Sequence, residues 1–136
     1  MRFMLDTSVL IEIEHENPYI LDRLYRFSPR DVAMSAIALT ELQVGVERGT
    51  LKAKNKARLA ILVKKFQPLA FDQRAALAAA KLLATHEIKG NPSATFDLLI
   101  AAHANALGVP VAYRDGDFNR FAIKKQLLFD KLSALT

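Results

Sequence analysis

Four carboxylates that lie far apart in the sequence are the residues best suited to chemistry: Asp6, Glu41, Asp97 and Asp115. A fifth acid, Asp117, lies two residues after the last of them. Carboxylate oxygens are hard donors, so a cluster of them fits Mg²⁺ or Mn²⁺ and does not fit zinc. A hydrated Mg²⁺ on such a cluster could orient a water molecule and neutralise a phosphate, which is the chemistry of phosphodiester hydrolysis.

The elements that must position these acids are predicted from alternating short apolar segments and helical segments. Strands are predicted at residues 3–5, 32–34, 68–71 and 109–113, with a further edge-strand candidate at 127–129. Helices are predicted between the strands, and they end near residues 13, 27, 48, 66, 90 and 107. The helix that ends near residue 107 is predicted to begin near residue 95. This order favours one α/β domain over residues 1–136, with a short, mostly parallel sheet that helices cover on both faces.

The predicted topology brings the four acids to one edge of the sheet. Asp6 directly follows the first strand, and Asp115 comes just after the strand at 109–113. Glu41 lies in the early turns of the helix after the second strand. Asp97 is expected in the first turn of the helix that leads into residues 109–113. Open parallel sheets bind ligands at the carboxyl edge of their strands. Charges gathered there repel by about 1 kcal/mol per close pair in water, so we expect raised pKa values or a bound cation.

Each of these acids also has a purely structural interpretation. Asp6 could begin the turn after a strand, and Asp115 could form a turn with Gly116 and Asp117. Asp97 could favour a helix N-terminus through the helix dipole, and Glu41 could be a solvated helix residue. A further acid at the same predicted edge, Asp72, is interpreted as a helix N-cap. Topology by itself leaves the metal cluster and these structural roles open.

The composition excludes several other classes of protein. The chain has 19 basic and 14 acidic residues, a net charge of +5, and no cysteine, so it has neither disulfides nor thiolate metal ligands. His15, His86 and His103 show no zinc-ligand spacing, and no GxGxxG or GxxxxGK phosphate loop occurs. No apolar run approaches the roughly 18 residues of a membrane span, and the acid at position 6 argues against a signal peptide. We expect a cytoplasmic protein without a membrane partner.

Four short motifs give the chain a family resemblance. They are Met-Leu-Asp-Thr-Ser at residues 4–8, Thr-Glu-Leu at 40–42 followed by Gly45 and Glu47, Asp-Leu-Leu-Ile-Ala-Ala-His-Ala at 97–104, and Arg-Asp-Gly-Asp-Phe at 114–118. In this order they resemble the motifs of PIN-domain ribonucleases, and more narrowly those of VapC-type toxins of type II toxin–antitoxin pairs. The third motif is the most specific match, and the resemblance covers nearly the whole chain.

The resemblance implies a fold, an activity and a set of partners. The fold would be a three-layer α/β/α sandwich. The activity would be Mg²⁺- or Mn²⁺-dependent endoribonuclease cleavage of structured cellular RNA, such as tRNA or ribosomal RNA, which arrests translation. A cognate antitoxin would block the acidic groove, and the toxin would form a homodimer.

The resemblance also implies a role for individual residues. The catalytic metal-site acids carry over onto Asp6, Glu41, Asp97 and Asp115, with Asp117 able to share the role of the last. Thr7 and Ser8 match positions at which a hydroxyl holds a metal-bound water or an acidic neighbour. Many members have Thr two residues before the fourth acid, where this chain has Tyr113, so that hydroxyl contact is in question.

Residues beyond the acids carry alternatives. Seven cations and no acid lie between residues 48 and 65, which suits RNA phosphates, a solvated helix face, or contact with an antitoxin. RNA contact is also assigned to Arg114, Arg120, Lys124 and Lys125, near the fourth acid. Tyr113 is expected to pack at a strand end rather than stack on a base, and His103 to be a packed residue or a neighbour of the metal ligands.

Three other functions compete with a ribonuclease. A non-catalytic RNA-binding or regulatory protein on the same fold would lack a complete set of acids, whereas all four are present. A small phosphatase or nucleotide-binding domain would need the missing glycine-rich loop. A DNA-directed, structure-specific nuclease of the wider PIN class is the nearer enzymatic alternative, but this short chain lacks the additional arches of such enzymes.

Overall fold

The computed structural model of the protein describes residues 1–85 and 92–113, together with the backbone of residues 126–128. Within these residues lie four strands: β1 (Phe3–Leu5), β2 (Val32–Ala33), β3 (Val111–Tyr113) and β4 (Gln126–Leu128). The helices of the same residues are α1 (Thr7–Glu14), α2 (Pro18–Leu24), α3 (Ala36–Arg48), α4 (Lys52–Phe66), α5 (Gln73–Thr85) and α6 (Pro92–Leu107), with a 3₁₀ turn at Pro29–Asp31.

The strands form one parallel sheet in the order β2-β1-β3-β4. In the register, Met4 pairs with Ala33 on one side and with Val111 on the other. All residues of β1, β2 and β3 are buried, as in strands that helices cover on both faces. The predicted α/β/α sandwich is therefore confirmed, and so is the edge strand, which lies one residue earlier than expected.

The apolar core joins the sheet to the helices around it. Its largest fully buried side chains are Phe3, Met4, Leu5, Leu10, Ile20, Met34, Leu98 and Ile100. Helix α6 packs against α3 and α5, while α1 packs against α2, α3 and α4. None of the helices in the described part of the chain is long and apolar enough to cross a membrane.

The predicted strand at residues 68–71 is wrong. The structure has a single parallel bridge there, between Ser35 and Leu69, closed by Leu69 N to Met34 O at 2.8 Å and by Ala36 N to Leu69 O at 2.9 Å. Successive N–H groups of an extended segment point to opposite sides, so Pro68, which has none, offers no donor on the side away from α3. The segment therefore contacts the start of α3 without extending the sheet.

The start of α6 differs from the prediction. Helix α6 begins at Pro92 rather than near residue 95, because proline is favoured at the first helical position. Asp97 consequently lies in the second turn of α6, not the first. The N-cap role of Asp72 is confirmed, since its Oδ1 accepts a hydrogen bond from Ala75 N at 3.0 Å. The predicted end of that helix at Gly90 lies outside the described residues.

Candidate functional site

Asp6 lies at the junction between the sheet and the first helix. It follows β1 directly and caps the N-terminus of α1, with only 3% of its surface exposed. Its backbone N donates to Ala112 O at 2.9 Å, which fixes it against β3. Its Oδ2 accepts hydrogen bonds from Ser8 N at 3.1 Å and from Ser8 Oγ at 2.6 Å. Asp6 is thus a buried carboxylate with a fixed position.

The environment of Asp6 stabilises its negative charge. The 2.6 Å bond from Ser8 Oγ has the length of a charge-assisted O–H···O⁻ bond. The N-terminus of α1 adds the favourable end of the helix dipole, because capping residues face the first unpaired N–H groups. Next to it, the buried Thr7 Oγ1 has no hydrogen-bond partner among the described residues. Buried hydroxyls normally find a partner, so this one is available to water or to a ligand.

Glu41 and Asp97 lie on two helices that pack against each other. Glu41 is on α3 and Asp97 is on α6, and each is partly buried. Helix α3 also contacts α1, which Asp6 caps. Helix α3, which carries Glu41, therefore contacts both the helix of Asp97 and the helix that Asp6 caps.

The described acids alone do not complete a metal site. Within residues 1–85 and 92–113, no three His, Cys, Asp or Glu side chains lie close enough together to hold a metal ion. The fourth acid, Asp115, follows β3 by two residues and lies outside the described part, together with Asp117, Arg114, Arg120, Lys124 and Lys125. The donor chemistry of Asp6, Glu41 and Asp97 fits Mg²⁺ or Mn²⁺, but the joint rim of four acids stays a prediction.

A buried polar pair, missed in the sequence, links α3 to α6. His103 Nδ1 and Ser35 Oγ are 2.8 Å apart, and both residues are buried. Ser35 is the N-cap of α3, and its Oγ also accepts a hydrogen bond from Ile37 N at 3.0 Å. The ring of Phe71 packs edge-on against the imidazole, at 5.4 Å between centroids. The only sequence signal for this pair is a serine directly before a helix.

His103 is confirmed as a packed residue. Desolvation lowers the pKa of His103, and the charge of Asp72 opposes that shift only in part. The imidazole is therefore held in its neutral form in the interior. His15, by contrast, is exposed as predicted, and His86 lies outside the described residues.

The side chain of Tyr113 packs in the core instead of exposing its ring to solvent. It is 3% exposed and ends β3, which confirms the expected packing at the strand end. A side chain so enclosed has no open ring face on which an unpaired base could stack.

The basic segment at residues 48–65 divides between open surface and a groove. Lys52, Lys54, Lys56 and Lys64 are exposed on α4. Arg58 and Lys65 instead line a groove between α1, α2 and α4.

That groove was not predicted from the sequence. It also contains Glu14, Tyr25 and Ile61, and the last two are exposed apolar side chains. Desolvation raises the pKa of Glu14, while nearby His15 and Arg58 oppose the shift. The sequence signal that could have revealed it is Ile61 among the lysines of α4.

Comparison with known proteins places the fold and these motifs in one family. The sequence matches the PIN domain family over residues 3–124, and the chain belongs to that family. Within the family it is similar to VapC-type toxins. It is 28% identical over 111 residues to the tRNA(fMet)-specific endonuclease VapC of Salmonella typhimurium, covering 82% of this chain and 84% of the relative.

A second relative and a solved structure support the same similarity to VapC-type toxins. Ribonuclease VapC2 of Rickettsia felis is 31% identical over 108 residues, which cover 78% of this chain and 81% of the relative. The crystal structure of DNA-bound VapBC from Salmonella typhimurium superposes with a TM-score of 0.82 at 25% identity, covering 95% of this chain and 98% of the other. The predicted resemblance to VapC-type PIN toxins is confirmed.

Proposed function

We propose that this protein is a ribonuclease toxin that hydrolyses RNA phosphodiester bonds with the help of Mg²⁺ or Mn²⁺. The observation that carries the proposal is Asp6, a carboxylate buried at the end of a parallel strand and held by Ser8 at the start of α1. Burying a carboxylate costs free energy, and capping alone does not require it, because exposed Asp72 caps α5 equally well. The relatives' names, an endonuclease and a ribonuclease, support the same activity.

The acids would act together with residues outside the described part of the chain. Asp6, Glu41, Asp97 and Asp115 would hold the ion, with Asp117 as a further donor. When bound, the ion supplies a polarised water and positive charge against the phosphate. The bonds from Ser8 keep the Asp6 carboxylate oriented before an ion arrives, which reduces the reorganisation that binding requires. The Thr7 hydroxyl, next to it, would hold a water molecule.

RNA would be attracted by the positive charge of the chain. The net charge of the chain is +5, and exposed lysines cluster on α4, which carries none of the proposed metal-binding acids. Phosphate contacts position a nucleic acid without reading its sequence, so the lysines would supply affinity. Arg114, Arg120 and Lys124 would act closer to the cut bond. We propose structured cellular RNA, a tRNA or a ribosomal RNA, as the substrate, and arrest of translation in the cytoplasm as the result.

The partners follow from the same proposal. A cognate antitoxin would cover the proposed cluster of acids, and the existence of such a partner is supported by the similarity to a solved VapBC structure. We also propose a homodimer and a single PIN domain over the whole chain. Apolar side chains that remain exposed, such as Leu51, Ile61 and Leu77, leave surface for both kinds of contact.

Cleavage of total RNA by the purified protein tests the proposal. The protein is incubated with total RNA and Mn²⁺, with and without EDTA, and in parallel as Asp97→Asn. We expect cleavage with Mn²⁺ that EDTA abolishes and that the variant lacks. RNA that binds without being cut would favour the non-catalytic RNA-binding alternative, and cleavage by the variant at the wild-type rate would overturn the assignment of Asp97.

A further inference from the structure

The imidazole of His103 stands out because apolar packing does not explain it. It lies on α6, on which Leu98, Ile100, Ala101, Ala102 and Ala104 are also buried. An aliphatic side chain of similar size would pack there without the cost of desolvating a polar ring. What the imidazole adds is a directional contact, the 2.8 Å bond to Ser35 Oγ.

The hydrogen bonds around Ser35 define how that contact works. Ser35 Oγ accepts from Ile37 N, so its hydroxyl hydrogen is free to be donated to His103 Nδ1. This arrangement leaves Nδ1 unprotonated and puts the ring hydrogen on Nε2, in agreement with the lowered pKa of His103. Protonation of Nδ1 would take away the acceptor of a fully buried hydroxyl. The bond therefore joins the N-cap of α3 to α6 in one defined geometry.

The position of the bond relates it to the proposed catalytic acids. Glu41 lies six residues after Ser35 on α3, and Asp97 lies six residues before His103 on α6. At 1.5 Å per residue, each acid is about 9 Å along its helix from the bond. Apolar contacts between helices are non-directional and permit small sliding motions, whereas a buried hydrogen bond fixes both helices at one point.

We propose that His103 is a positioning residue, which through Ser35 locks α3 to α6 and so fixes the separation of Glu41 and Asp97. The inference rests on the proposed function. His103 itself touches neither RNA nor metal in this account, and acts through the backbone of the two helices. Its loss should therefore loosen the acids while leaving the fold and the RNA-contacting lysines unchanged.

Four variants of the full chain test the proposal. Their Mn²⁺ affinity is measured by electron paramagnetic resonance in the absence of RNA. We expect His103→Leu and Ser35→Ala each to weaken Mn²⁺ binding about tenfold. This is the lower end of the effect expected when a residue that orients metal ligands is lost. The double variant should be no worse than Ser35→Ala, because both lack the bond between Ser35 and His103 and the cap bond from Ile37 N. His103→Asn keeps an acceptor near the position of Nδ1 and should bind within about twofold of wild type.

A matched control removes another helix-to-helix hydrogen bond from α6. Arg74 Nη2 on α5 donates to Ala106 O at 2.9 Å, far along α6 from Asp97. Arg74→Ala should leave Mn²⁺ affinity unchanged. Cleavage of total tRNA, measured in parallel, should show a lower kcat for His103→Leu at an unchanged KM. The thermal unfolding midpoint of His103→Leu should lie within about 4 °C of the wild-type midpoint.

The outcomes separate this inference from the proposed function. Wild-type protein that binds no Mn²⁺ and cuts no RNA would overturn the proposed function and this inference with it. If wild type does both, and His103→Leu binds Mn²⁺ equally well, the inference alone is wrong. It is also wrong if Arg74→Ala weakens binding as much as His103→Leu does, or if His103→Asn fails to restore binding.

Discussion

Replacing Asp6 with Asn should separate the structural role of this residue from its chemical one. Asn caps helices about as well as Asp, and its amide oxygen can accept the two hydrogen bonds that Ser8 N and Oγ give to Asp6 Oδ2. Each bond to a charged acceptor contributes about 1 kcal/mol more than a neutral one, which gives a loss of about 2 kcal/mol. Burying an amide instead of a carboxylate returns part of that loss.

We therefore expect Asp6→Asn to remain folded, with a free energy of unfolding within about 2 kcal/mol of wild type, against about 5–15 kcal/mol for a typical domain. Urea unfolding measures this change. RNA cleavage in Mn²⁺ should fall more than about 100-fold, because losing a metal ligand costs more than losing a neighbour that orients one.

Asp72→Asn is the matched control for Asp6→Asn. Asp72 caps α5 through a 3.0 Å bond to Ala75 N, but it is exposed and has no proposed part in catalysis. This variant should cleave RNA like wild type. Our reasoning fails if Asp6→Asn retains full Mn²⁺-dependent cleavage, or if both variants lose activity together.

Three further predictions concern stability. Burial lowers the pKa of His103, so its contribution to stability is complete above about pH 6.5 and is lost as the pH falls through the lower folded-state pKa. Urea unfolding at a series of pH values should therefore show a free energy of unfolding that falls with pH in wild type and falls less in His103→Leu. Desolvation raises the pKa of Glu14, which disfavours its charged form, so Glu14→Gln should stabilise the fold at pH 7 and not at pH 3; equal effects at both pH values would refute this. Truncating buried Tyr113 to Ala should cost about 3–5 kcal/mol in the same assay, and a loss below about 1 kcal/mol would contradict its packing role.

Local signals made most of the fold predictable. The apolar segments predicted at residues 3–5 and 32–34 contain the buried strands β1 and β2, the latter one residue shorter than predicted. Aspartate before a helix marks its start, as at Asp6 and Asp72. The segment at residues 68–71 has the same apolar composition but only one bridge to Ser35. Sequence composition does not distinguish a paired strand from an extended linker, because pairing depends on what lies beside it.

The candidate site was predictable in residue type and only partly in geometry. The sequence identifies Asp6 as a carboxylate after a strand, whereas its burial and its bonds to Ser8 depend on how α1 packs on the sheet. The contact between Ser35 and His103 joins residues 68 positions apart. No periodicity encodes such a pair, because it arises only when α3 and α6 pack together.

A crystal structure of the protein grown with Mn²⁺, with anomalous diffraction data, tests the central claim most directly. We predict an anomalous peak at the carboxyl edge of β1 and β3, with carboxylate oxygens of Asp6, Asp97 and Asp115 at about 2.1 Å or one water molecule away, and Glu41 beside them. Crystals in which these four side chains stay apart and no peak lies between them would contradict the claim.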